Sequence, residues 1–362
     1  MGFLFFKKKK KKCLGVDVGA SSIKMVELGQ RKERISLENY GEFSISSFLM
    51  ERPFRNFQGT SLSLSEEEIS KAIKAIIGEA KFSTTKAIFT IPDFSTFFTY
   101  FELPPMTSKE LPNAVIFEAR QHIPVPLSEV TIDWSLIGGE VPDHRGKEKL
   151  QILLLAVPNE VIAQYRKIAE LSKLEILALE SEVFSIVRAV MNPQRKRKTQ
   201  IIVDIGAQST SCAIVDQGVL KRIHSIDVSG NELTRALVRS LNIGYKEAED
   251  FKKLYGLIAP EKTVAQILYP LIDVIIREVE GISKDYFSST KKMIDEIILS
   301  GHSALLPGLR DYFFTRLKKE VNIANPFEDL YYPSILEDTL KEMGPGYTVP
   351  VGAALRGLEQ LE

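Results

Sequence analysis

The same small-residue hairpin is written twice in this chain, and that repetition constrains the fold more than any other feature. Residues 14–28 read LGVDVGASSIKMVEL and residues 201–215 read IIVDIGAQSTSCAIV. Val16/Val203, Asp17/Asp204, Gly19/Gly206, Ala20/Ala207 and Ser22/Ser209 recur at one constant offset. Each copy reads as strand, turn, strand, with an aspartate ending the first strand. One copy is explained by a plain β-hairpin. Two copies, each opening an α/β half, point to a duplicated domain with a cleft between the halves.

A glycine or alanine just past a strand end lets backbone N–H groups approach an anion, and successive N–H groups form a nest for phosphate oxygens. The turns at Gly19–Ser22 and Gly206–Thr210, the latter with Gln208, are built this way. Ser21, Ser22, Ser209 and Thr210 add hydroxyl donors. Facing hairpins would hold a polyphosphate from both sides. Asp17 and Asp204 would repel phosphate alone, but suit a Mg²⁺ held between them, usually through waters. Lys24 would place a point charge on the β- or γ-phosphate. A third segment, IILSGHSALLPGL at 297–309, reads as a strand ending at Ser300 and Gly301 before a helix near Pro307. Such a turn suits a nucleotide's sugar or base edge.

With 362 residues the chain is too long for one ordinary core. Charged residues make up 26% and the net charge is zero, so no nucleic-acid partner is expected. Cys13 and Cys212 cannot make a disulfide framework and fit a reducing cytoplasm. The four histidines are scattered, without zinc-ligand spacing. A helix is expected at SEEEISKAIKAIIGEAK, where Ser65 and Glu68 form a capping box and Ile69, Ile73, Ile76 and Ile77 line one face. A β-rich texture then sets in, and a long helix from about Val264 to Thr290 comes late in the chain. The expected division is a flexible basic tail at 1–12, a first subdomain at 13–84 and 175–198, and an inserted subdomain at 85–174. The second half comprises 199–230 with 295–362, carrying a helical subdomain at 231–294. The basic stretch NPQRKRKTQ, 192–200, reads as a solvated interdomain crossing.

The two hairpins and the glycine turn together resemble the actin-like ATPase superfamily, which includes actin, Hsp70, sugar kinases and FtsA. VDVGASSIK resembles its first phosphate motif, VDIGAQST its second and LSGHSALLPGL its adenosine motif. With HIPVP, SGNELTRAL, YKEAEDFK and VNIANPF, the chain from about residue 13 to 358 is similar to the PilM family of type IV pilus inner-membrane assembly proteins. The fold implied is a duplicated, ribonuclease H-like α/β fold. Two domains surround a nucleotide cleft, with an FtsA/PilM-type inserted subdomain. The resemblance implies ATP or ADP with Mg²⁺ at Asp17 and Asp204. Gly230 would approach the nucleotide, and Glu249 and Lys252 would flank its ribose and adenine. Gly301, His302 and Ser303 would meet the base, although His302 stands where the motif has its second glycine. A side chain there would crowd the adenine or stack on it. The resemblance also implies that the hydrolytic carboxylate would be Glu180 or Glu182, with Asp204 beside the metal, and that turnover would be weak or absent.

The resemblance further implies a cytoplasmic protein, peripheral to the inner membrane. It would bind the N-terminal cytoplasmic peptide of a PilN-like partner along strands around AIFTIP and FFTYFELP, with pilus motor ATPases and self-association as further contacts. One alternative is an FtsA-like division protein. The absence of a basic amphipathic segment at LRGLEQLE weighs against it. Another is a small-molecule kinase, for which no acidic strand end is read in the first half beyond Asp17 and the Glu180/Glu182 pair. At the N-terminus, Phe3–Phe6 beside six lysines would either touch an anionic membrane, at about 1 kcal/mol per lysine, or stay a solubilising tail.

Overall fold

The structure is a computed structural model that describes residues 10–45, 64–139, 149–258 and 262–361. Val16, Val18, Ile23 and Met25 alternate with residues facing the other way, as a strand's two-residue period requires. They lie in strands β1 (Lys11–Val18) and β2 (Ser22–Arg31). With β3 (Arg34–Ser44), β4 (Lys86–Ile91) and β8 (Glu175–Ser181), these form a five-stranded sheet in the order β3-β2-β1-β4-β8. β1 runs antiparallel to β2 and parallel to β4.

The second half repeats this. β9 (Thr199–Ile205), β10 (Thr210–Asp216), β11 (Val219–Ile226), β12 (Glu296–Ser300) and β13 (Glu320–Ile323) take the order β11-β10-β9-β12-β13. β9 again pairs antiparallel with the following strand and parallel with β12. The repeated hairpin is therefore the start of a repeated sheet, as the sequence implied.

The predicted capping box forms. Ser65 N–H donates to the Glu68 carboxylate at 2.8 Å and Glu68 N–H to Ser65 Oγ at 3.3 Å, opening helix α1 (Glu66–Ala80). The Ile69, Ile73 and Ile76 stripe packs on β1 and β2 with Tyr165 and Ile168 of helix α3 (Asn159–Ser172). Between them in sequence lies a three-stranded sheet, β5 (Phe97–Leu103), β7 (Leu150–Pro158) and β6 (Val130–Gly138), backed by α2 (Leu111–His122). This is the inserted subdomain, with its own core of Phe101, Leu111, Val115 and Leu154.

Three placements differ from the sequence reading. β4 lies inside the first sheet between β1 and β8, so AIFTIP has no free edge, and α3 fills the first core. FFTYFELP, by contrast, is the outer strand of the small sheet, with Phe97 and Tyr100 exposed. The final helix, α10 (Thr348–Gln360), was expected with the second half. Instead it covers the first sheet, where Val351, Ala354 and Leu358 pack with Cys13, Val26 and Ile88.

The basic crossing is not simply solvated. Arg195 and Lys198 pair with the buried Glu296 at 3.6 and 3.4 Å, and Arg195 also with Glu328. A buried carboxylate without partners is strongly unfavourable, so these cations belong to the second half's framework. At the N-terminus, residues 1–9 lie outside those described. Lys11 and Lys12 are strand residues rather than tail, and Lys12 pairs with Glu27 and Glu38 at 3.6 and 3.2 Å. Among the described residues no helix is long and apolar enough to cross a membrane.

Glycine lets α10 approach. A Cβ on Gly15 would lie 1.8 Å from the Pro350 carbonyl oxygen, and one on Gly352 1.8 Å from that of Ser185. Backbone cannot yield as a flexible side-chain end can. Gly15→Ala and Gly352→Ala are each expected to destabilise by about 1–3 kcal/mol or more. Denaturant titration reads this directly, and a loss below ~0.5 kcal/mol in both would reject the close-packing account.

Candidate functional site in the cleft between the halves

The two turns are built alike to the level of single hydrogen bonds. Gly19 N–H donates to the Ser22 carbonyl at 3.0 Å, and Gly206 N–H to the Ser209 carbonyl at 3.0 Å. A Cβ on either glycine would press that same carbonyl, at 3.0 and 2.9 Å. The register is also repeated. Asp17 lies opposite Lys24 on β2 and Thr90 on β4, and Asp204 lies opposite Ser211 on β10 and Ser300 on β12. The halves differ at one decisive place: the first supplies a lysine where the second supplies a serine.

Both turns line one cavity of about 670 Å³. It brings together Asp17, Gly19, Ala20, Ser21, Ser22 and Lys24 from the first hairpin. Asp204, Gly206, Ala207, Gln208 and Ser209 face them from the second. Gly230, Glu249, Lys252, Gly301, His302 and Ser303 close the other end, and Glu182 sits at the phosphate-turn end with the aspartates.

Two expected residues stand elsewhere. Thr210 is buried and donates to the Val228 carbonyl at 2.7 Å, so its hydroxyl serves the sheet edge. Glu180 accepts two 2.8 Å hydrogen bonds from Arg188 and pairs with Arg356 at 3.1 Å. Glu180 is thus held by Arg188 and by Arg356 of α10, away from the cleft, whereas the chain turns from β8 into a helix at Glu182. Of the two acidic candidates, Glu182 is the one that faces the cavity.

The nucleoside end is more constrained than an i,i+3 surface pair would be. The Lys252 ammonium meets Glu249 at 2.6 Å, the Gly230 carbonyl at 3.0 Å and Thr234 Oγ1 at 2.8 Å. Burial alone would raise the Glu249 carboxyl, but Lys252 outweighs it and holds the group below its ordinary range. Gly230 is closely packed: a Cβ there would lie 2.7 Å from Ser303 Oγ and 3.3 Å from the Gly206 carbonyl oxygen. His302 lies flat on the 344–347 turn: a Cβ on Gly346 would be 2.7–2.9 Å from three ring atoms. Burial, then the neighbouring Lys24, pushes the His302 imidazole down to about 4, so it is neutral near pH 7. His302 is thus a fixed wall of the cavity, seated on a glycine.

Asp93 was missed by sequence reasoning. It follows β4 in TIPDFS, an acidic residue just past a strand end, which is the signal the first half was searched for. It lines the cavity beside Glu182, so the lack of a second acidic strand end no longer counts against a kinase. Glu42, Tyr245 and Gly346 also line the cavity without a sequence signal of their own.

Four carboxyl groups therefore converge. Burial raises Asp17 to about 6, with Asp204 and Glu42 adding to the shift and Lys24 opposing it. Burial likewise raises Asp93 to about 6. Asp204 lies above its ordinary range for the same reason, and Glu182 well above, pushed further by Asp17, Asp93 and Asp204. Among the described residues no three acidic, His or Cys side chains could hold a metal ion by themselves. Asp17 Oδ1 is buried without a hydrogen-bond partner. That donor set fits a hydrated divalent cation completed by phosphate oxygens.

A family model described as type IV pilus assembly protein PilM matches residues 15–358. The chain belongs to the PilM family. A solved PilM–PilN type IV pilus biogenesis complex is similar with a TM-score of 0.81 at 22% identity, covering 96% of this chain and 98% of that one. MreB5 of Spiroplasma citri bound to ADP is similar with a TM-score of 0.52 at 13% identity, covering 95% of each chain. The cell division protein FtsA of Enterococcus faecalis is 25% identical over 229 residues, 56% of this chain and 50% of that protein. The chain spans about half the length of the curated relatives it matches. The fold is that of the actin-like ATPases, and membership of the PilM family makes the chain a type IV pilus assembly component.

The cavity's carboxylates carry a stability consequence. Asp17 titrates at about 6 in the folded chain against an ordinary 3.8. The folded state binds more protons between those values, so this stability is full below pH 3.8 and is lost as pH rises through 6. Asp17→Asn removes the loss. It is expected to stabilise the nucleotide-free protein above pH 6, on the order of 2 kcal/mol, and to change little below pH 4. Thermal unfolding midpoints from pH 4 to 8 check this; a variant no more stable than the wild type at pH 7.5 would contradict the buried-charge account.

Proposed function

We propose that this chain is an ATP-binding component of the type IV pilus machinery that receives an extended peptide from a PilN-like inner-membrane partner. The observation that carries the nucleotide half is the matched pair of glycine turns, with the same 3.0 Å hydrogen bond in each, facing one cavity that also holds Lys24. With the Gly19 and Gly206 N–H groups closing the turns, the backbone N–H groups at 20–22 and 207–209 cradle the phosphate oxygens, and the Ser21, Ser22 and Ser209 hydroxyls add donors. Lys24 offsets the phosphate charge. Gly230 and the Glu249–Lys252 pair border the ribose, and the neutral His302 ring offers a flat face to the base. Mg²⁺ held between Asp17 and Asp204 would neutralise phosphate oxygens. Glu182 is the carboxylate available to orient a water, which is compatible with slow turnover and with ATP serving mainly as a conformational ligand.

The open outer side of β5 supports the partner half. Its backbone N–H and C=O groups can accept another strand, and Phe97 and Tyr100 provide apolar contacts. Binding of this kind makes the chain cytoplasmic and peripheral to the inner membrane through its partner.

Calorimetry with Mg²⁺–ATP tests the first half. Asp17→Ala and Asp204→Ala are each expected to weaken binding at least ~10-fold, and equal affinity in wild type and both variants would sink the phosphate site. Pull-down with N-terminal peptides of pilus inner-membrane proteins tests the second; no capture at micromolar concentration counts against it.

A further inference from the structure

Asp93 is hydrogen-bonded to Glu182 and to the residues on either side of it. Asp93 N–H donates to the Glu182 carboxylate at 3.3 Å. In return Asp93 Oδ1 accepts from Ser181 Oγ at 2.5 Å and from Val183 N–H at 3.1 Å. Ser181 precedes helix α4 (Glu182–Val190), yet its own side chain makes no capping bond to the helix. The cap is supplied from β4's end instead, by Asp93, and satisfies one of the free N–H groups of the first turn. Glu182 is the first residue of that turn, so the cap and the backbone bond together fix where its carboxylate stands. Asp93 is itself immobile: Pro92 precedes it and its carbonyl accepts Thr96 N–H at 3.0 Å. Its other oxygen, Oδ2, is buried, with the Ser211 hydroxyl of β10 nearby.

We infer that Asp93 is the positioning residue for Glu182, holding that carboxylate toward the phosphate end of the cleft. This rests on the nucleotide reading above. The arrangement follows the general pattern in which a reacting or water-orienting group is aligned by a third residue that does not touch substrate. In the reaction served, a water oxygen bonds to the γ-phosphorus as the bond from that phosphorus to the bridging oxygen breaks. ADP leaves with the electron pair, and a water proton passes to the Glu182 carboxylate. Displacing that carboxylate by about 1 Å is enough to slow such a step about 10²-fold.

The test compares wild type, Asp93→Ala, Asp93→Asn, Glu182→Gln and the double variant Asp93→Ala/Glu182→Gln. Single-turnover ATP hydrolysis and calorimetric affinities for Mg²⁺–ATP and Mg²⁺–ADP are measured for each. Asp93→Ala is expected to lower kcat about 10²-fold with KM within about threefold. Asp93→Asn keeps an oxygen for Ser181 and Val183 and is expected to stay within about fivefold of wild type, whereas the alanine does not. In the Glu182→Gln background the alanine has no further effect. Where the wild type binds without turnover, the ratio of ATP to ADP affinity carries the same cycle. Asp93→Ala then shifts that ratio about threefold or more when Glu182 is present, and leaves it unchanged in the Glu182→Gln background. Additive effects, or an asparagine no better than alanine, overturn the positioning role while leaving nucleotide binding intact. A wild type that binds neither nucleotide overturns the nucleotide reading and the role of Asp93 together.

Discussion

The cleft is organised around a repulsion. Asp17, Asp93, Glu182 and Asp204 are brought near one another away from water, where each charge disfavours the next and none is fully compensated. Left to itself such a cluster would splay the two sheets apart or fill with protons. Lys24 is the cation that opposes it for both Asp17 and Asp204. The remaining deficit is what a phosphate-bound cation can relieve. On the proposed function, such an occupant would act as a conformational effector.

The duplication makes this possible with little invention. Each half delivers an aspartate at the end of a central strand and a glycine turn after it, because the same strand order places the same residue at the same edge. The departures from symmetry then carry the specialisation. Lys24 holds the position that Ser211 holds in the repeat, so the cation opposite a strand-end aspartate comes from the first half. The inserted sheet is attached to one half, and the helices that shape the nucleoside end, α5 (Gly230–Leu241) and α6 (Tyr245–Tyr255), to the other.

Much of this was legible in the chain. The repeated VD-x-GA-x-S pattern specified two sheets, a cleft and most of the cavity wall, since strand ends followed by small residues leave few conformations open. What stayed hidden were contacts made by distant segments. Glu180 and Glu182 are equivalent on paper, but Arg188 and Arg356, which take Glu180, and the helix that begins at Glu182 decide between them. Asp93 carries a strand-end signal that a proline and a turn disguised as a plain loop. Gly346 and His302 are intelligible only as a pair, a ring and its seat. The basic crossing looked solvated because its partner, Glu296, lies far along the sequence.

The last helix has a consequence for how the molecule is made. Cys13, Val26 and Ile88 belong to strands synthesised early, yet the residues that cover them, Val351, Ala354 and Leu358, emerge much later. The second sheet depends on the first half too, since Ile202, Ala213 and Ile298 pack with Val183 and Ile186 of α4 and with Val349. Both sheets therefore keep an apolar face that only the last helix closes, and neither half is finished until the end of the chain has been made.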